Sequence, residues 1–169
     1  MALRTNHYDA AFEEYLRQRR TPHVVVDETR RSLLQQVSLK SMDFIVYSAK
    51  RPNLLVDVKG RKFPSGSPGS PHTWENWATA DDLESLLRWE TVFGGDFRAI
   101  LVFAYHIVDD RFMDRFPDRF QFREQSYAFY GVWADEYFEQ MRTRSPSWET
   151  VSLPSSDFRR LRAPIAEFL

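Results

Sequence analysis

The sequence predicts one mixed α/β domain over residues 1–169, a single sheet flanked by helices in the order helix, strands, helix, strand, strand, helix. Three observations carry this. Apolar side chains recur at helical spacing after caps at Asn6 and Thr79. Apolar, β-branched runs of strand length occupy 42–48, 54–59, 97–107 and 126–133. The 169 residues are 43% hydrophobic, enough for one substantial core.

Each element has its own warrant. Asn6 caps a helix running to about Arg20, with Tyr8, Ala11, Phe12, Tyr15 and Leu16 on one face and Thr21-Pro22 as its stop. Residues 23–28 form a short strand, and 30–39 is either a turn or an excursion of the sheet. Strands 42–48 and 54–59 pair as a hairpin about Ala49-Lys50-Arg51-Pro52-Asn53. Residues 63–71, rich in Pro, Gly and Ser, read as the most flexible loop. Thr79 caps a second helix with Asp81 and Asp82 in its first turn; Leu83, Leu86, Leu87 and Val92 form its stripe, and Gly94-Gly95 ends it. Residues 97–107 form a buried strand, 126–133 another, 134–142 a short helix, 148–153 a last strand and 158–169 a C-terminal segment.

Composition removes several classes of function. The net charge of −1 does not mark a polyanion-binding protein, although Arg17, Arg19 and Arg20, Lys59, Arg61 and Lys62, and Arg159, Arg160 and Arg162 form local basic clusters. A mixed, solvated surface is the plain reading of each cluster. The chain has no cysteine, which excludes disulfides and thiolate metal sites. No apolar run is long enough to cross a membrane, and the first residues are not a signal peptide, so a cytoplasmic location is expected. His7, His72 and His106 stand alone, without the spacing of a zinc hydrolase. Gly66 and Gly69 lack the lysine and helix of a phosphate-binding loop.

What stands out is charge inside apolar strands. Asp43 lies in Ser41-Met42-Asp43-Phe44-Ile45-Val46-Tyr47, and Asp57 and Lys59 in Leu54-Leu55-Val56-Asp57-Val58-Lys59-Gly60. Buried charge needs a partner, and a metal ion shared by two carboxylates is one. Alternation puts Asp57 and Lys59 on one face. Pairing Ser48 with Leu54 would set Asp43 opposite Lys59 and Ile45 opposite Asp57, which gathers all three on that face. Oxygen donors point to Mg²⁺ or Mn²⁺. Such an ion polarises a phosphoryl oxygen and acidifies a bound water, while a neighbouring lysine orients that water or steadies developing charge.

Asp43 followed by Asp57-Val58-Lys59 resembles the acidic signature of the PD-(D/E)XK nuclease superfamily, which includes Holliday junction resolvases and many restriction endonucleases. Met42 stands where that signature usually has proline. The resemblance implies a restriction-endonuclease-like core of helix, three-stranded meander, helix and strand over about 6–107, to which 108–169 adds strands and helices. It implies Mg²⁺ or Mn²⁺ held by Asp43, Asp57 and the Val58 carbonyl, with a carboxylate of the first helix completing the site. Glu13 is the position carried over, with Glu14 as its alternative. The string His7-Tyr8-Asp9-Ala10-Ala11-Phe12-Glu13 also looks like the start of an uncharacterised bacterial family with the pattern H-Y-E-x-A-F-E, with Asp9 in place of its first Glu. Asp9 and Glu13, four apart, share a helical face.

Around this set, Arg61 and Lys62 continue the strand and are candidate contacts to a nucleic-acid backbone. Trp74 and Trp77 either stack on unpaired bases or pack under the loop, and packing is the commoner use. Glu84 and Glu90 lie on the second helix, where a solvated face is the plain reading. The expected function is metal-dependent phosphodiester hydrolysis with Glu13, Asp43, Asp57 and Lys59 as the active set. DNA is a better substrate than RNA on this reading, and a homodimer, common among relatives that cut both strands, is an assembly it allows. The rival is a nuclease-fold protein without turnover that binds nucleic acid or protein.

Overall fold

A mixed sheet with helices on both faces organises the chain. The computed structural model describes residues 6–27, 31–34 and 37–169. Sequence readings on 1–5, 28–30 and 35–36 lie outside the described residues. In order, the elements are α1 (His7–Gln18), β1 (His23–Val25), β2 (Arg31–Leu34), β3 (Val37–Lys40), β4 (Phe44–Val46), β5 (Asn53–Phe63), β6 (Ser65–Ser67), β7 (Ser70–His72) and β8 (Ala78–Thr79). There follow α2 (Ala80–Phe93), β9 (Phe97–Ile107), a 3₁₀ turn (Asp110–Arg115), β10 (Phe120–Phe122), β11 (Gln125–Trp133) and α3 (Ala134–Gln140). The chain ends with β12 (Arg142–Ser145), β13 (Thr150–Ser152), α4 (Ser155–Leu161), β14 (Ala163–Pro164) and a 3₁₀ turn (Ile165–Glu167).

Among the described residues the main sheet has the order β1-β4-β5-β9-β11-β10, with β14 also on β11. β1, β4 and β5 form the expected antiparallel meander, and the excursion at 30–39 is the separate β2–β3 hairpin. Helix α2 then crosses over so that β9 runs parallel to β5 for its full length, from Asn53 beside Phe97 to Phe63 beside Ile107. A parallel pair needs such a crossover, and covering both faces makes its strands continuously apolar. Leu101, Phe103 and Tyr105 join the core under α2 and α3, while Ile100, Val102 and Ala104 join the core under α1. No helix among the described residues is long and apolar enough to cross a membrane.

The caps at Asn6, Thr79 and Gly94 lie where the sequence puts them. Asn6 accepts the Tyr8 N–H at 3.0 Å, and Gly94 donates to the Glu90 carbonyl at φ 88°. Residues 63–71 hold more regular structure than expected: β6 and β7 pair as a small hairpin that turns at Pro68-Gly69, with Gly66, at φ 82°, opposite Pro71. The helix expected over 134–142 stops at Gln140, since Arg142–Ser145 pairs instead with β13. Before β8, the buried Asn76 accepts the Leu153 N–H at 2.8 Å and donates to the Leu153 carbonyl at 3.3 Å, joining the chain entering α2 to the exit of β13.

One close approach sets the position of α1. The Tyr8 ring lies so near Gly60 of β5 that a Cβ there would come within 2.1 Å of a ring carbon. Only glycine admits this, and the packing fixes the first turn of the helix against the sheet. Gly60→Ala is expected to displace Tyr8 and lower stability by about 1–3 kcal/mol. An unchanged urea midpoint would contradict this packing.

Candidate active site

The charged residues of β5 meet partners from three directions. Asp43, just before β4, is buried; its N–H donates to the Val56 carbonyl at 2.9 Å and its Oδ2 accepts the Val58 N–H at 2.7 Å. The observed register puts Phe44 opposite Val56 and Val46 opposite Leu54, two residues from the expected pairing. β4 ends at Val46, so the connection between the strands is longer than the expected turn. A shift of two preserves the alternation of faces, and Asp43, Asp57, Val58 and Lys59 still line one cavity.

Helix α2 supplies a residue that sequence reading placed only in the first turn of that helix. Asp82 reciprocates with Thr79 in a capping box: Asp82 N donates to Thr79 Oγ1 at 3.1 Å and Thr79 N to Asp82 Oδ2 at 3.4 Å. The same carboxylate accepts Lys59 Nζ at 2.7 Å and Lys40 Nζ at 2.8 Å. Lys59 also reaches Asp57 Oδ2 at 3.1 Å. Lys40 is held in turn by α2, its N–H donating to Ser85 Oγ at 3.1 Å and its carbonyl accepting Trp89 Nε1 at 2.8 Å. The need of a lysine in a buried strand for a second counterion was the signal that could have found Asp82.

Burial alone would lower the Lys59 ammonium, but Asp57 and Asp82 outweigh it and raise the lysine above its ordinary value. Burial pushes the Asp82 carboxyl up, yet Lys59, with hydrogen bonds from Lys40, Lys59 and Thr79, holds it well below the usual carboxylate range. Both groups are therefore charged across the neutral range.

The cavity, about 370 Å³, is completed by Asn6 and Asp9 at the start of α1 and by Ser41, Ser85 and Leu86. Of the two acids on that helical face, Asp9 is the one that lines it. Glu13, one turn further along, does not; its carboxylate takes the Arg17 guanidinium at 2.7 Å across one helical turn. Glu14 accepts from Gln18 at 3.3 Å on the exposed side. Asp9 is almost fully buried.

Three of the four expected nucleic-acid contacts are occupied inside the protein. Arg61 is buried, donating to the Gly60 and Trp77 carbonyls and lying 3.8 Å over the Trp77 ring. Trp74 packs edge-on to Phe63, Tyr105 and Tyr130 within 5.3 Å, with Arg162 over its ring at 3.7 Å. Trp77 lies within reach of both Arg61 and Arg144. Only Lys62 is exposed. His7 bonds the Tyr127 hydroxyl at 2.8 Å, with His106 stacked on Tyr127, and Glu90 accepts the Ala99 N–H at 2.6 Å.

The donor set suits a hard divalent cation: carboxylates of Asp9, Asp43 and Asp57 on one cavity, in a chain without cysteine thiolates. The expectation that three acids converge on one ion is not met as the side chains stand. Among the described residues no three Asp, Glu or His groups are drawn together as a metal-binding cluster. Asp57 is turned to Lys59, and Asp43 to the Val58 N–H.

Over 96% of its length the chain is similar to the structure of Hjc from Archaeoglobus fulgidus, a Holliday junction resolvase from an archaeal hyperthermophile, covering 97% of that chain with a TM-score of 0.56 and 14% sequence identity. The fold is resolvase-like. No family model matches the chain, and no curated protein matches it. At this identity the likeness concerns the fold, a central sheet flanked by helices as in restriction endonucleases.

The Asp82 network gives stability a pH dependence. A carboxyl held low in the folded state stabilises above its unfolded value of about 4 and loses that contribution as pH falls through the folded value. Asp82→Asn should cost about 1–3 kcal/mol near pH 7. It should also flatten the decline in stability below about pH 5 relative to wild type, as measured by urea unfolding across pH. Parallel acid profiles for the two proteins would show that Asp82 is not held low.

Proposed function

We propose that the chain is a metal-dependent nuclease that hydrolyses phosphodiester bonds, in DNA rather than RNA. The observation that carries this reading is the meeting of Asp43, Asp57, Lys59 and the helix-borne Asp9 on one cavity of a resolvase-like fold. Mg²⁺ or Mn²⁺ would be held by Asp43, Asp57 and the Val58 carbonyl, with Asp9 in the place that sequence reading gave to Glu13. When bound, the ion supplies Lewis acidity toward a phosphoryl oxygen and toward water. Lys59, kept as an ammonium by two carboxylates, is a hydrogen-bond donor and not a base. Its role is to orient the attacking water and to stabilise charge developing on the phosphate. Asp82 fixes Lys59 from the side of α2, and Lys62 offers a cation to the backbone beyond the cavity. Cutting two strands calls for two sites, and on that ground we propose a homodimer.

The test is cleavage of duplex, single-stranded and branched DNA, and of RNA, by pure protein with Mg²⁺ or Mn²⁺. Asp9→Asn, Asp57→Ala and Lys59→Ala should each reduce the rate by about 100-fold or more. Glu13→Gln should stay within a few-fold of wild type. Equal cleavage by all variants would identify a contaminant. Absence of cleavage by wild type on every substrate would replace the enzyme with a binding module on the same fold.

A further inference from the structure

The side chain least explained by the fold is Trp148. It is 78% exposed, while the other four tryptophans are at least half-sheltered. It sits at the tip of the β12–β13 hairpin, in the turn Pro146-Ser147-Trp148-Glu149 between Ser145 and Thr150. The turn is firmly built. Glu149 N donates to the Pro146 carbonyl at 3.2 Å, and Glu149 takes the left-handed conformation at φ 51°. Its carbonyl accepts the N–H of Ala80, the first residue of α2, at 2.9 Å. Behind it Thr150 pairs with Thr79 and Val151 with Ala78. Thr79 caps α2 through Asp82, which lines the cavity. The tryptophan is thus presented on a hydrogen-bonded tip joined to the helix end that enters the candidate active site.

Charge beside the ring indicates what it meets. β12 is the edge strand of its small sheet and carries Arg142 and Arg144, the latter at a shift of register between Thr143 and Ser145; both are exposed and neither is ion-paired among the described residues. Arg144 lies 5.1 Å from the Trp77 ring centre. Guanidinium groups along an edge and an aromatic face at its end make a platform for unpaired nucleotides, cations for phosphates and a ring for a base. The exposed Glu149 next to Trp148 disfavours phosphate at the tip itself and leaves the ring for a base. A protein partner would want further apolar surface around the tryptophan, and its neighbours in the turn are Ser147 and Glu149.

We propose that Trp148 stacks on an unpaired base of the nucleic-acid substrate beside the cavity, with Arg142 and Arg144 holding the adjoining backbone. This rests on the nuclease reading and adds to it a preference for substrates with unpaired nucleotides.

The test compares binding of the full chain, without divalent cation, to a fluorescent DNA duplex and to the same duplex carrying a short single-stranded extension. Trp148→Ala should weaken binding to the extended DNA by about 10-fold or more, leave duplex binding within about 2-fold, and leave the melting temperature unchanged. Trp148→Phe, which keeps a ring, should recover most of the loss. Trp148→Ala binding both DNAs as wild type does, or losing both equally, overturns the stacking role while wild-type cleavage leaves the nuclease reading standing. Wild type that neither binds nor cuts either DNA overturns the nuclease reading and the stacking role with it.

Discussion

β5 has to carry charge in a place where both of its faces are covered. It lies between β4 and β9, under α1 on one side and α2 on the other, and yet contains Asp57, Lys59 and Arg61. Each of these must be partnered or the sheet would lose the several kcal/mol that a buried unpaired charge costs, on the order of 3–5. The surrounding architecture meets that demand. The first turn of α2 supplies Asp82 to Lys59, and the chain leading to it supplies the Trp77 carbonyl and ring to Arg61. The position of α2 over the sheet and the electrostatics of the cavity are therefore one arrangement. A carboxylate that caps a helix also fixes the lysine of the site.

Much of this was legible because local rules decide it. Helix caps, strand runs and the charged hairpin depend on residues near one another, and Asn6, Thr79, Asp43 and Asp57-Val58-Lys59 announce them. The register of β4 against β5 was misread by two residues without harm, since two is the period of the strand. The β12–β13 hairpin was half seen: Thr150–Ser152 lies inside the strand read at 148–153, but Arg142–Ser145 has a polar, basic composition that no apolar pattern reveals. Trp148, read as strand, is a turn residue, and its exposure follows from tertiary placement.

The choice between Asp9 and Glu13 shows where sequence reasoning stops. Both lie on one face of α1, and four residues separate them, about 6 Å along the axis. Which acid reaches the cavity depends on how far the helix slides along the sheet. The contact of Tyr8 with Gly60 sets that, between residues about 50 positions apart whose relation no periodicity discloses. The contact brings the start of the helix to the site, so that the neighbour of Tyr8 faces the cavity and the acid a turn later pairs with Arg17. A shorter carboxylate at a closer position is equivalent in reach to a longer one further away.

The cavity gives its two lysines unequal company. Asp9, Asp43, Asp57 and Asp82 line it with Lys40 and Lys59. Both lysines contact Asp82, and Lys59 also contacts Asp57. Lys59 is therefore held from α2 as well as from its own strand. On the proposed reading, an ion bound by Asp9, Asp43 and Asp57 would draw Asp57 from Lys59 and leave the pairing of Lys59 with Asp82 in place. The lysine would then keep its position with or without the ion, which a residue proposed to orient water needs.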